Sequence, residues 1–151
     1  MPKSLEHQVA SLTKRNLVKW VAEAKRRHPS DGLSASIYIT KRRLKPIYVL
    51  AANHVLNSME FNGKRYAIFK KKILELVRDI AEAAVDHELN HKNRVDAQVR
   101  GAASYALIKD AFKSIGHGER DCEKFINDFG EKVRGLSAES VKAMKEVIND
   151  S

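Results

Sequence analysis

The chain of 151 residues is 43% hydrophobic, which suits one folded domain over residues 1–151 and argues against disorder. No stretch approaches the ~20 apolar residues of a membrane span, the N-terminus lacks a signal-peptide core, and the lone Cys122 allows no internal disulfide, so a cytoplasmic setting without a membrane partner is expected. The net charge of +9, from 28 Lys and Arg against 19 Asp and Glu, favours a polyanionic partner, nucleic acid first, and with it a nucleoid-associated location.

Taken in order, residues 12–28 predict a helix, because Leu17, Trp20, Val21 and Ala24 recur at helical spacing with Lys and Arg between them. Trp20 reads as a core anchor. The basic run Lys25-Arg26-Arg27-His28 suits the negative pole of the helix dipole, and Pro29-Ser30-Asp31-Gly32 reads as a turn. Residues 34–40 alternate: Ala35, Ile37 and Ile39 point one way, Ser34, Ser36, Tyr38 and Thr40 the other, as in a half-buried strand. Residues 41–46 read as a basic connection. Residues 47–56 fit either strand or helical turn. Residues 59–69 carry a hairpin signal, since Asn62-Gly63 can supply the two positive φ angles of a type I′ turn.

A central helix is expected over residues 72–91. At ~100° per residue, Ile73, Leu76, Val77, Ile80, Ala84, His87 and His91 share one face. Glu75, Arg78, Asp79, Glu82, Asp86 and Asn90 gather on the opposite, solvated side. After a polar break at Lys92-Asn93-Arg94, residues 95–115 predict a further helix, stopped by Gly116-His117-Gly118. A short helix over residues 120–129 follows. The last helix begins at Ser137 as N-cap, with Leu136 and Val141 as a hydrophobic staple and Val141, Met144 and Ile148 as its packing stripe. The expected fold class is therefore α+β: mostly helical, with a small antiparallel sheet ahead of the central helix.

The central helix ends in His87-Glu88-Leu89-Asn90-His91, an H-E-x-x-H motif. On a helix the two imidazoles fall one turn apart and can grip one zinc ion, with Glu88 beside them as general base. A catalytic zinc needs a third protein ligand, and His117 between two glycines is the first candidate. Glu119, Asp121, Glu123 and the more distant His54 are alternatives. Two other readings stand beside the metal one: His87 and His91 as hydrogen-bonded residues at the core edge, and His117 as a helix C-terminal histidine facing the dipole.

His87-Glu88-Leu89-Asn90-His91, followed by Gly116-His117-Gly118-Glu119-Arg120-Asp121-Cys122-Glu123-Lys124-Phe125, resembles the SprT-like (Spartan-type) zinc metallopeptidases over roughly residues 34–129. The resemblance implies a zincin-like fold, Zn2+ on His87, His91 and His117, and hydrolysis of a protein or peptide substrate associated with nucleic acid. In that mechanism zinc lowers the pKa of its bound water toward ~7, and Glu88 takes the proton and passes it to the leaving amine. Tyr38, Tyr66 and Tyr105 are candidates for stabilising the oxyanion. The competing class is a non-enzymatic nucleic-acid-binding module. Its phosphate contacts would come from Lys14-Arg15, Lys25-Arg26-Arg27, Lys41-Arg42-Arg43 and Lys70-Lys71-Lys72, with a structural or accidental H-E-x-x-H. A metal-stabilised protein without turnover is a third reading.

Overall fold

The computed structural model describes residues 3–150. Its first helix, α1 (Leu5–Arg27), starts at Ser4, whose side chain accepts the His7 N–H at 3.1 Å. That cap carries the helix well ahead of the expected start near residue 12 and lets Val9 bury completely. Trp20 is buried, as its place on the apolar stripe predicts.

Residues 34–40 are helical, not a strand. Asp31 caps α2 (Gly32–Ser58) by accepting both the Ser34 N–H and the Ser34 hydroxyl, at 3.0 and 2.6 Å. The alternation of Ile37 and Ile39 is a short window inside a longer period: Ile37, Leu44, Ile47, Ala51 and Val55 lie on one helical stripe, and the last three are buried. Pro46 sits inside this helix. It removes the N–H that would bond the Arg42 carbonyl, a cost of about 3 kcal/mol in a helix interior. Burial of Ile47, Ala51, Ala52, Val55 and Leu56 beyond it opposes that cost.

The expected hairpin over residues 59–69 is a helix stop. Glu60 takes a left-handed φ of 69°. The Glu60 N–H then bonds the Asn57 carbonyl at 3.1 Å and the Phe61 N–H bonds the Leu56 carbonyl at 2.9 Å, a Schellman arrangement. Phe61 turns inward, only 3% exposed, and its ring meets Tyr66, Phe69, Phe112 and His117. Gly63, at φ 85°, leads into one turn of 3-10 helix (Lys64–Tyr66), and α3 (Ala67–Leu89) follows directly. Burying Phe61 satisfies the core in a way that a solvated hairpin tip would not.

α3 buries Ile73, Leu76, Val77 and Ile80 as expected, and also Ala81, Ala83, Val85 and Asp86. It packs against α2 on one side and α4 (Arg94–Ser114) on the other, so two flanks are covered rather than one. Asp86, expected in solvent, is 5% exposed and accepts from Lys41 Nζ at 2.9 Å and Arg100 Nη2 at 2.7 Å. One turn earlier, Glu82 pairs with Lys45. The α4 helix ends in a second Schellman arrangement, with Gly116 at φ 83°, Gly116 N–H to Lys113 and His117 N–H to Phe112. The final element is one helix, α5 (Glu119–Asn149), where two shorter ones were expected. Phe125, Phe129, Leu136, Ser140 and Ala143 are buried on one stripe, bridged by the half-buried Val133, that carries it across Gly130 and Gly135. Ser137 is therefore interior, not an N-cap.

Among the described residues there is no strand, so the α+β, zincin-like expectation is corrected to an all-α bundle of five helices. α1 packs on α2 and α5, α2 also on α3 and α5, and α4 on α3 and α5. One hydrophobic cluster draws on all five. Between α1 and α5, Thr13 Oγ1 and Ser140 Oγ share a buried hydrogen bond of 2.7 Å, and Thr13 also donates to the Val9 carbonyl.

Two stability predictions arise. Glu60→Gly removes the steric penalty of a left-handed side-chain-bearing residue and should stabilise the protein by about 1 kcal/mol in urea unfolding. A loss of stability would mean that Glu60 contributes through its side chain. Burial pushes the Asp86 carboxyl up, but hydrogen bonds and charge from Lys41 and Arg100 outweigh it and hold it below the ordinary aspartate value. Stability from a depressed folded pKa is complete above the ordinary value of about 3.9 and is lost as pH falls through the lower folded one. Asp86→Asn should therefore cost about 1–3 kcal/mol near neutral pH, below the range for sealed pairs because Lys41 and Arg100 reach solvent. The difference from wild type should close as pH drops below about 4, and a pH-independent difference would contradict the ion-pair account.

Candidate functional site

The H-E-x-x-H residues do not form the geometry expected of them. α3 stops at Leu89, and Asn90 at φ −112°, ψ 84° turns the chain before His91 enters a separate 3-10 turn (His91–Asn93). The two histidines are therefore not successive rungs of one helix. His87 Nε2 lies 3.2 Å from Gln98 Nε2. His91 Nδ1 lies 3.1 Å from Arg94 Nη2, and the same guanidinium donates through Nε to the His87 carbonyl at 3.2 Å. Glu88 is exposed.

His117 is at the other end of the bundle. His91 precedes α4 and His117 follows it, and 21 helical residues separate their ends by ~30 Å. Its Nδ1 lies 2.7 Å from Asp121 Oδ2 and its ring stands edge-on to Phe61, with centroids 4.7 Å apart. It follows the left-handed Gly116 in the α4 cap, so the helix C-terminal reading describes its position. Glu119, paired with Lys109, and Asp121 and Glu123 share that end. His54, near the α2 C-terminus, lies toward the end where α3 begins. Among the described residues, no group of three His, Cys, Asp or Glu side chains is placed to hold one metal ion. The SprT-like resemblance is overturned on both counts, sheet and ligand set. Of the three tyrosines, Tyr38 donates to Glu23 at 2.8 Å and Tyr66 packs on Phe61. Only Tyr105 shares a shallow depression with His87 and Glu88.

A different site forms from the basic residues. α1 and α3 both pack on α2 but not on each other, which leaves a groove of about 600 Å³ floored by α2. Lys3 and Arg15 line it from the α1 side, Arg42 and Lys45 from α2, and Arg78 from α3. Leu12, Pro46, Val49 and Leu50, all half-buried, make its apolar floor. No Asp or Glu lines it. Lys45 is held by Glu82, and Arg42 lies 3.9 Å from Glu23. Arg15 and Arg78 have no ion pair among the described residues. Beyond Arg78 the surface continues into a second depression of about 530 Å³ that includes Lys70 and Lys71, with one acid, Glu75.

The basic runs contribute unequally because successive helical residues point ~100° apart. In Lys41-Arg42-Arg43, Lys41 turns to Asp86, Arg42 to the groove, and Arg43 inward, where burial pushes its guanidinium pKa down and Nη1 has no hydrogen-bond partner. Lys14 turns to Glu146 while Arg15 lines the groove. Arg27 lies over the Tyr38 ring, 5.1 Å from its centroid, outside the groove. Lys3, Lys45 and Arg78 stand outside the runs. The signal of Lys45 and Arg78 in the sequence is a position on a polar helix face, not clustering, and Lys3 precedes the α1 cap.

Comparison with protein-family models, curated proteins and solved structures finds no match to this chain. From the placement of the histidines, protein purified without a tag or chelator should hold no stoichiometric zinc, and His87→Ala and His117→Ala should leave its metal content unchanged. One zinc per chain by elemental analysis, lost in both variants, would contradict this geometry.

Proposed function

We propose that the protein is a non-enzymatic nucleic-acid-binding module whose phosphate track runs along the α1–α2–α3 groove and on to Lys70 and Lys71. The observation that carries this reading is the convergence of Arg15, Arg42, Lys45 and Arg78 from three helices, and of Lys3 just ahead of α1, on one surface whose larger depression no carboxylate lines. The excess of nine positive charges supports it. Each phosphate neutralised by Lys or Arg releases condensed counterions, and this drives association without reading sequence. Arg15 and Arg78 carry the largest expected share, because they break no ion pair to bind. Lys45 and Arg42 exchange contacts with Glu82 and Glu23 for phosphate and gain less.

The cations line a recessed groove rather than a protruding helix face that could enter a groove of the duplex, so the contacts are to the backbone and the preference among sequences is weak. The peptidase reading gains nothing from the geometry: Glu88 has no metal-bound water to activate when the third histidine lies ~30 Å away along α4.

Fluorescence anisotropy with a labelled duplex tests the reading. With four or so phosphates neutralised, log K should fall against log salt with a slope of about −4. Arg15→Ala and Arg78→Ala should each reduce the slope by about one, for any sequence of duplex. Arg27→Ala, outside the groove, should serve as the unaffected control. Binding that ignores Arg15 and Arg78 but is lost with Arg27 would move the track elsewhere, and no binding at low ionic strength would overturn the proposal.

A further inference from the structure

The floor of the groove is unexplained by phosphate contacts. Leu12 of α1 and Pro46, Val49 and Leu50 of α2 lie half-buried below the cationic rims. Single-stranded nucleic acid uses aromatic side chains to stack its bases, and no Phe, Tyr or Trp lines this groove, whose one ring of that kind is His7 on the α1 rim beside Gln8 and Ser11. Pro46 adds an apolar ring to the floor. A concave apolar surface of about 600 Å³ ringed by cations has the size and lining of a small-molecule site, with the charges fixing orientation.

We infer that the groove binds a single-chain anionic amphiphile, its alkyl chain along Leu12, Pro46, Val49 and Leu50 and its carboxylate or phosphate head between Arg15 and Arg78. Charge complementarity selects the head: five lining cations, no lining carboxylate, and two guanidiniums without an ion pair among the described residues. Hydrocarbon selects the tail. The source is the free monomer rather than a bilayer. A membrane surface engages an apolar face that protrudes, whereas this one is recessed between two helices. The head occupies the same arginines that the nucleic-acid reading assigns to phosphate. Resting on that reading, the amphiphile competes with nucleic acid and acts as its effector. The binding itself does not depend on it.

The test is titration calorimetry on the full chain with octanoate, decanoate and dodecanoate below their micelle concentrations, with 1-dodecanol and inorganic phosphate as single-feature controls. Dodecanoate should bind at one site, tightening two- to fourfold per added methylene, the upper figure being full burial of each. The alcohol and phosphate should each bind far more weakly. Arg78→Ala, at an exposed position, should weaken dodecanoate about tenfold through the head. Val49→Gln, at a half-buried position in the floor, should abolish the chain-length dependence. In wild type, dodecanoate should displace labelled duplex. Equal binding of alcohol and carboxylate, indifference to both substitutions, or binding only to anionic vesicles would overturn the inference, as would selective capture of an acidic amphipathic peptide with no response to any alkyl anion. Dodecanoate binding without duplex binding would uphold the site and remove the nucleic-acid reading. Duplex binding without dodecanoate binding would do the reverse.

Discussion

Two ion pairs one helical turn apart, Lys41 to Asp86 and Lys45 to Glu82, set the antiparallel register of α2 against α3. The numbering advances by four on one helix and falls by four on the other, as antiparallel neighbours require. Continuing the same register puts Val49 opposite Arg78 and Asn53 opposite Leu74, and each of those pairs lines a common depression. Arg100 grips the same Asp86 from α4. A single buried carboxylate therefore ties three helices together. Its desolvation is opposed by two cations that keep contact with solvent, which makes the arrangement tolerable in a largely apolar interior.

That register also explains the groove. α3 is held on the far side of α2 from α1, so the two flanking helices never close over the middle one. What α2 presents in the gap is set by its own period. Lys41 and Lys45 lean to α3, Arg42 leans toward α1 and Glu23, and Pro46, Val49 and Leu50 lie between. A run of three cations on a helix is thus divided among a structural ion pair, an open surface and the interior. The formal charge of the chain overstates what any one face can offer a ligand, and the position of each cation on its helix matters more than its membership of a run.

Parts of this were legible before the structure. The stripe of Ile73, Leu76, Val77 and Ile80, the buried Trp20 and the stop at Gly116 follow from helical periodicity and the tolerance of glycine for positive φ. The strand at residues 34–40 was misread because the deciding period extends through Leu44 and Ile47, across a proline that argues locally against continuation. The hairpin was misread because Glu60, not the Asn62-Gly63 pair, takes the left-handed turn and sends Phe61 inward. Asp86 falls among the polar residues of the far side by periodicity, and only the packing of α2 and α4 on α3 brings Lys41 and Arg100 over it. The H-E-x-x-H motif carried the chemistry of a metal site but not its geometry. Helical continuity from His87 to His91 fails at Asn90, and only the tertiary path of α4 reveals how far His117 is carried away. The groove was half visible: Arg15 and Arg42 belong to basic runs, while Lys3, Lys45 and Arg78 join them only through the packing of α1 and α3 on α2.

The central claim is that one surface, the gap between α1 and α3, receives the polyanion. Backbone amide shifts of isotopically labelled protein, followed by NMR as a short duplex is added, test it most directly. Perturbations should concentrate in the residues around Arg15, Arg42 to Leu50 and Lys70 to Arg78, which come together only in this fold. A footprint centred instead on His87 to Gln98, or on the basic end of α1 at Lys25 to Arg27, would contradict the account.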